Sequence, residues 1–409
     1  MSKLQAGRFA LLLTALFSFL ALSAGAAGAA TTSPTLSNKM TFIGDSVTAG
    51  FGYCGSGESA KNVTCKANEE MANNWNIGDN SLKDCAPKDA PAVPNDACSN
   101  NNFDGKPWHA EAWKETPGAP DVAYPFQIAK KQTGSEKAEV YDWAMTGSTP
   151  SDWDPDGGGV FGSLLGKLKN QYVGMTLGAN PLLSYFTNID ISIPFMGVDG
   201  PCVPATGYKI QGYFYNTWYS GPIDNAIGCA RSEWNKLHQT QHLVHIYKTL
   251  LEQNDRVVVM GYYRDCSWSF GNWQPRANPI LGPASGNACK SQTREISKND
   301  SKEISQWDQA VAVGAELNNL IHGAVDKAKE EVKNEWPDTD RADDLVYTQP
   351  SETEWEEHQP KSPKGSWVFL RDTWIHPSKA GAANLADTVT EAMCTHFDHW
   401  CGPDTSWTK

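Results

Sequence analysis

The chain has 409 residues, with 34 Lys and Arg against 47 Asp and Glu, a net charge of −13 and a pI near 5.2. That balance excludes the basic face that nucleic acid requires and disfavours attraction to anionic lipid surfaces. The length exceeds a typical single domain of ~100–150 residues, yet there is no fixed-period repeat and no long Ser/Pro-rich linker.

Residues 1–30 read as a secretory signal peptide. Lys3 and Arg8 precede the apolar "FALLLTALFSFLALSA", and "AGAAGAA" follows with A-x-A sites at 24–26 and 27–29. The apolar run is short for a membrane span and lacks a charged stop beyond it. An exported, soluble protein with no stable membrane anchor is expected, in the periplasm or outside the cell. Residues 31–409 are expected to form one domain with long insertions at about 53–120 and 181–230, where Gly, Asn, Pro and Cys replace periodic patterning. Ten cysteines suit the oxidising compartment that export implies. Pairing of sequence neighbours gives Cys54–Cys65, Cys85–Cys98, Cys202–Cys229, Cys266–Cys289 and Cys394–Cys401, although the connectivity cannot be deduced from sequence.

Along the remaining chain, four short runs read as buried strands: "KMTFIG" (39–44), "AEVYDWA" (138–144), "YVGMTLG" (172–178) and "RVVVMGYY" (256–263). Each is rich in β-branched or aromatic residues and ends in glycine or a small-residue turn. A fifth strand falls at "DLVYTQ" (344–349) or "SWVFL" (366–370). Helical patterns alternate with them, at 160–171, 231–253, 306–335 and 378–397. Alternation of this kind implies a parallel sheet covered on both faces, with ligands bound beyond the carboxyl ends of its strands.

Chemistry-bearing residues gather at those ends. "TFIGDSVTAG" (41–50) places Ser46 just past the first strand, near a helix start whose N–H groups favour negative charge. Gly147 follows the second strand, and Asn180 follows the third with a side-chain amide. In "RDTWIHPSKAGAANLA" (371–386), His376 precedes Pro377 and a small-residue helix start. A nucleophile, two N–H donors and a base are what acyl transfer needs.

These four blocks resemble the SGNH or GDSL hydrolases, which carry Ser in Gly-Asp-Ser, a Gly, an Asn in a Gly-x-Asn turn and a C-terminal His. Ser46, Gly147, Asn180 and His376 match in order, over a core of about half the chain. The rival pentapeptide G-x-S-x-G is absent. The resemblance implies a three-layer α/β/α flavodoxin-like fold. It also implies a serine esterase or lipase in which His376 activates Ser46, and an oxyanion hole made by the N–H groups of Ser46 and Gly147 with the Asn180 side chain. No cofactor or metal is required. The expected partner is a small-molecule or lipid ester and the expected state a monomer. Alternatives are a polysaccharide O-acetyl esterase acting on acetylated glycan, and a non-catalytic exported glycan-binding protein.

Two departures stand out. Pro181 follows Asn180 where the family usually has Asp, which leaves the amide side chain in place. The family acid usually lies three residues before the His, but Thr373 is there and Asp372 is four before. Either Asp372 or a main-chain carbonyl of Thr373 or Trp374 therefore orients His376.

Three further patterns point elsewhere. Asp152, Asp154, Asp156 and Gly157 mimic the first half of a calcium loop, but Pro155 interrupts it and Ser163 stands where a Glu belongs. A solvated turn is expected. His238, His242 and His245 share one helical face without a metalloprotease Glu, and read as a partly exposed histidine face. "CTHFDHWC" (394–401) reads as a disulfide before a zinc cluster. Sixteen tryptophans, several in 213–222 and 266–273, read chiefly as packing for the insertions. Sequons at Asn62 and Asn299 stay silent behind a leader of bacterial type.

Overall fold

A computed structural model describes residues 36, 39–48, 124–131, 139–144, 148–159, 161–189, 197–199, 202, 209–210, 213–214, 223–265, 293–297, 300–359, 362, 364, 367–368 and 376–397. Four strands form its centre where the apolar runs predict them: β1 (Lys39–Gly44), β2 (Glu139–Asp142), β3 (Tyr172–Thr176) and, further along, Arg256–Met260. Three two-stranded hairpin strands pairs and a fifth sheet strand complete the set. In chain order, β4 (Thr187–Ile189) pairs with β5 (Gly197–Asp199), and β6 (Lys209–Ile210) with β7 (Tyr213–Phe214). Arg256–Met260 is β8, β9 (Thr293–Ser297) pairs with β10 (Asp300–Ser305), and Leu345–Thr348 is β11.

The main sheet runs β11-β8-β3-β1-β2, and every pairing in it is parallel. Numbered by its own strands the order is 2-1-3-4-5, the doubly wound order with its switch point between β1 and β3. The interior of the sheet is apolar because both faces are covered: β3 is buried throughout, and β1 is buried after Lys39.

The helices are α1 (Tyr124–Lys131), α2 (Pro150–Trp153), α3 (Gly162–Leu165), α4 (Ala179–Phe186), α5 (Ile223–Lys236), α6 (Gln239–Glu252), α7 (Gln306–Glu335), α8 (Glu352–Glu357) and α9 (Lys379–His396). Helix α1 packs on α9, and α6 packs on α7. Right-handed crossovers, the rule for parallel strands, would put one such pair on each face of the sheet. The result is a parallel five-stranded α/β fold. Among the described residues no helix is long and apolar enough to cross a membrane.

Two expectations need correction. The pattern at 160–171 yields only the single turn α3, since Gly162 and Gly166 offer no side chain to extend it and Asn170 turns left-handed at φ 52°. The helix expected at 231–253 starts earlier and breaks at His238, which is also left-handed at φ 54°. The polar hairpin β9–β10 carries no apolar alternation from which a strand would be read. Of the two candidates for the fifth strand, 345–348 joins the sheet, while Val368 makes an isolated bridge to Pro377.

Segment 53–120 lies outside the described residues. Within 181–230, helix α4 extends to Phe186, the two small hairpins follow, and α5 begins at Ile223. Cys202 and Cys229, one of the neighbouring pairs named above, form a disulfide with Cα atoms 5.4 Å apart. Cys54, Cys65, Cys85, Cys98, Cys266, Cys289 and Cys401 lie outside the described residues. Cys394 is itself disulfide-bonded, so its sulfur is not a zinc thiolate.

Candidate active site

The carboxyl end of β1 is shaped by a close approach to β3. Gly44 has φ +143°, and a Cβ there would stand 2.3 Å from the Thr176 carbonyl oxygen and 2.6 Å from Thr48 Oγ1. Only glycine lets the chain pass. The Asp45 N–H then donates to the Thr176 carbonyl at 3.1 Å, and Asp45 Oδ1 accepts from the Val47 N–H at 3.0 Å. This side-chain turn holds Ser46 at the tip of the strand, in a turn covering 46–48.

His376 arrives from the other end of the chain. Ser378 caps α9 by accepting from the Gly381 N–H, and its own N–H donates to the Trp367 carbonyl at 2.7 Å. With the Val368–Pro377 bridge, these contacts fix the segment just before α9. His376 Nε2 lies 2.8 Å from Ser46 Oγ, and both side chains are buried. A hydroxyl and an imidazole nitrogen at that distance can exchange a proton in one step.

Asn180 opens α4, two residues after the Gly178 turn at φ +132°. Its Nδ2 donates to the Ser148 carbonyl at 2.8 Å. A carboxamide carries two N–H donors, so one remains for an incoming anion. Ser148 Oγ donates to the Gly44 carbonyl at 2.9 Å and accepts from Trp153 Nε1 at 3.0 Å. Ser148 thus ties the loop after β2 to the serine turn. Gly147, Asp372, Thr373 and Trp374 lie outside the described residues.

One buried group was not anticipated from the sequence. The Tyr262 hydroxyl, just past β8, donates to Asp45 Oδ2 in a short hydrogen bond and accepts from the Ala179 N–H at 3.1 Å. Asn318 on α7 clamps Tyr262 from both sides, its Oδ1 accepting from the Tyr262 N–H at 2.8 Å and its Nδ2 donating to the Tyr262 carbonyl at 2.9 Å. Burial pushes the Asp45 carboxyl up to about 6, against the opposing pull of the Tyr262 hydroxyl, the Val47 N–H and the charge of His376. Burial above all holds the Tyr262 hydroxyl well above its ordinary range, so it stays a donor. The only hint of this network in the sequence is that Tyr262 follows a strand end.

The turn at 152–157 is solvated at Asp156 and Gly157, as expected, but not at Asp154. Asp154 caps α2 with its side chain 1 % exposed, and it accepts from His242 and His245. The histidine face is accordingly split: His238 breaks the helix and is exposed, while the other two turn towards Asp154. Trp153, Trp234 and Trp355 are fully buried core residues. Trp218, Trp268 and Trp273 lie outside the described residues.

No protein-family model and no curated protein matches this chain. Among solved structures, the crystal structure of Axe2, an acetylxylan esterase from Geobacillus stearothermophilus, aligns with 88% of this chain and 96% of its own. The identity is 13% and the TM-score 0.29, a likeness too distant to assign an activity.

Proposed function

We propose that this chain is an exported serine hydrolase of carboxylic esters, built on the SGNH/GDSL plan. The observation that carries the reading is the 2.8 Å contact between Ser46 Oγ and His376 Nε2, made across 330 residues at the carboxyl end of a parallel sheet. Asn180 adds an amide donor to the same network, since it reaches the Ser148 carbonyl and Ser148 Oγ reaches the Gly44 carbonyl two residues before Ser46. The leader-like residues 1–30 and the Cys202–Cys229 disulfide support export.

In the mechanism, His376 removes the Ser46 proton as Oγ attacks the ester carbonyl, then returns it to the departing alcohol. The Ser46 N–H, the Gly147 N–H and the second Asn180 amide hydrogen receive the oxyanion. Water activated by the same imidazole hydrolyses the acyl-serine. The Asp45 carboxylate, charged at neutral pH, favours the imidazolium that forms along the way.

The test is hydrolysis of p-nitrophenyl acetate. Ser46→Ala should lose ~10⁴-fold or more of kcat/KM, since removing the serine of a triad costs about 10⁶ in the subtilisin template. Its melting temperature should stay within a few degrees of wild type. A folded Ser46→Ala protein that keeps wild-type turnover would sink the proposal, and a folded wild type inert to all esters would leave the glycan-binding alternative.

A further inference from the structure

Two patterns that mean little separately in the sequence meet in the fold. The Asp-rich turn after α2 packs against α6, where His242 and His245 lie one turn apart. Both rings direct Nδ1 at the same carboxylate: His242 at 2.5 Å and His245 at 3.2 Å from Asp154 Oδ2. His245 Nδ1 also lies 3.8 Å from Asp156 Oδ2. The three ligand atoms of Asp154, Asp156 and His245 all fall within 4.8 Å of one another.

We propose that Asp154, Asp156 and His245 form a binding site for a divalent transition-metal ion of the zinc type. Donor chemistry favours that class over calcium, because imidazole suits zinc and its neighbours whereas calcium takes oxygen ligands throughout. The spacing agrees. A tetrahedral ion with bonds of ~2.0–2.1 Å sets its ligand atoms ~3.3 Å apart. His245 Nδ1 lies 3.2 and 3.8 Å from the two carboxylates, and rotation of the exposed Asp156 side chain can close the third side, which is within 4.8 Å.

The turn is preorganised for the role. Asp152 Oδ2 accepts from both the N–H and the hydroxyl of Thr149 at 2.8 Å, and Pro155 restricts the chain beyond Asp154. Asp154 Oδ1 accepts from the Asp156 N–H at 2.9 Å. A Cβ on Gly157 would lie 2.9 Å from Asp154 Oδ2 and 3.3 Å from His242 Cε1, so a glycine keeps this side clear. Asp154 is buried, but the Asp156 side chain is 73% exposed and leaves a path from solvent. Ligation uses the Nδ1 lone pair of His245, in the tautomer that carries the ring proton on Nε2. His242 is a positioning residue whose Nδ1–H holds the Asp154 carboxylate, as partners of metal ligands commonly do. Water completes the coordination of an ion with three protein ligands.

The site stands apart from the proposed hydrolysis and its test is independent of it. Full-length mature protein is stripped with a chelator, dialysed and titrated with zinc chloride by calorimetry. Cobalt chloride provides a visible absorption band from the nitrogen-bound ion. Wild type should bind zinc at a single saturable site that excess calcium does not block. Asp156→Asn alters an exposed side chain and should fold normally. It and His245→Gln should each weaken binding by more than ~10-fold, and His242→Gln by ~10–100-fold. His322→Gln, at an exposed histidine on α7, should leave the affinity unchanged. Absence of zinc uptake by stripped wild type would overturn the proposal and leave Asp154 as a hydrogen-bond acceptor only. Wild-type affinity in either Asp156→Asn or His245→Gln would overturn it equally.

Discussion

In the proposed hydrolysis Asn180 and Asp45 have different parts, one as a donor to the oxyanion and one as a buried charge. Asn180 bonds the Ser148 carbonyl through one amide hydrogen and leaves the other for an oxyanion. Loss of one such donor typically costs ~10²–10³ in kcat, so Asn180→Ala should show that loss in steady-state kinetics with KM nearly unchanged. A loss confined to KM would remove Asn180 from the oxyanion hole. Asp45 instead has a folded value of about 6, above the 3.8 of an ordinary aspartate, chiefly through burial. A raised carboxyl contributes stability that is present below about 3.8 and lost as pH rises through about 6. The loss amounts to about 3 kcal/mol at most. Asp45→Asn does not titrate, so its stability relative to wild type should rise between pH 4 and pH 7 and then level off. Urea unfolding at several pH values measures this, and a difference that falls over the same interval would show that Asp45 is not buried as described.

At the scale of elements, the site depends on how three strand ends and a helix start are joined. The cap on α9 is one such joint: Ser378 accepts from the Gly381 N–H and donates to the Trp367 carbonyl, two residues after His376. Ser378→Ala should lower stability by about 1 kcal/mol. The backbone N–H of residue 378 still reaches the Trp367 carbonyl and the Val368–Pro377 bridge remains, so kcat should fall only slightly, with KM almost unchanged. A large fall in kcat would mean that the side-chain cap itself holds His376. The central strands were legible in the sequence because burial on both faces makes them continuous apolar runs ending at Gly44 or just before Gly178 and Gly261. Ser46 and His376 were legible as blocks in order, and the structure brings them into contact. What was not legible depends on non-local geometry. His238 adopts a left-handed conformation that no residue type announces, and Tyr262 reaches Asp45 across 217 residues. Asp154 and His245 are 91 residues apart, so each read as an ordinary surface group until the packing of α2 on α6 joined them.

For the whole molecule, the switch point of the sheet lies between β1 and β3, and the serine turn sits at its carboxyl edge. Tyr262 from β8 and Ser148 from the loop after β2 fasten that turn from both sides. Helix α7 supports it through Asn318, and α9 brings the imidazole. The sheet is therefore the base on which a serine and a histidine 330 residues apart in sequence are brought into contact. The most direct test is covalent labelling of the folded protein by a fluorophosphonate, mapped by peptide mass spectrometry. The expected result is a single adduct on Ser46 in wild type, formed far more slowly in His376→Ala. An adduct on another serine, or none on folded wild type, would contradict the assignment of Ser46 as a nucleophile activated by His376.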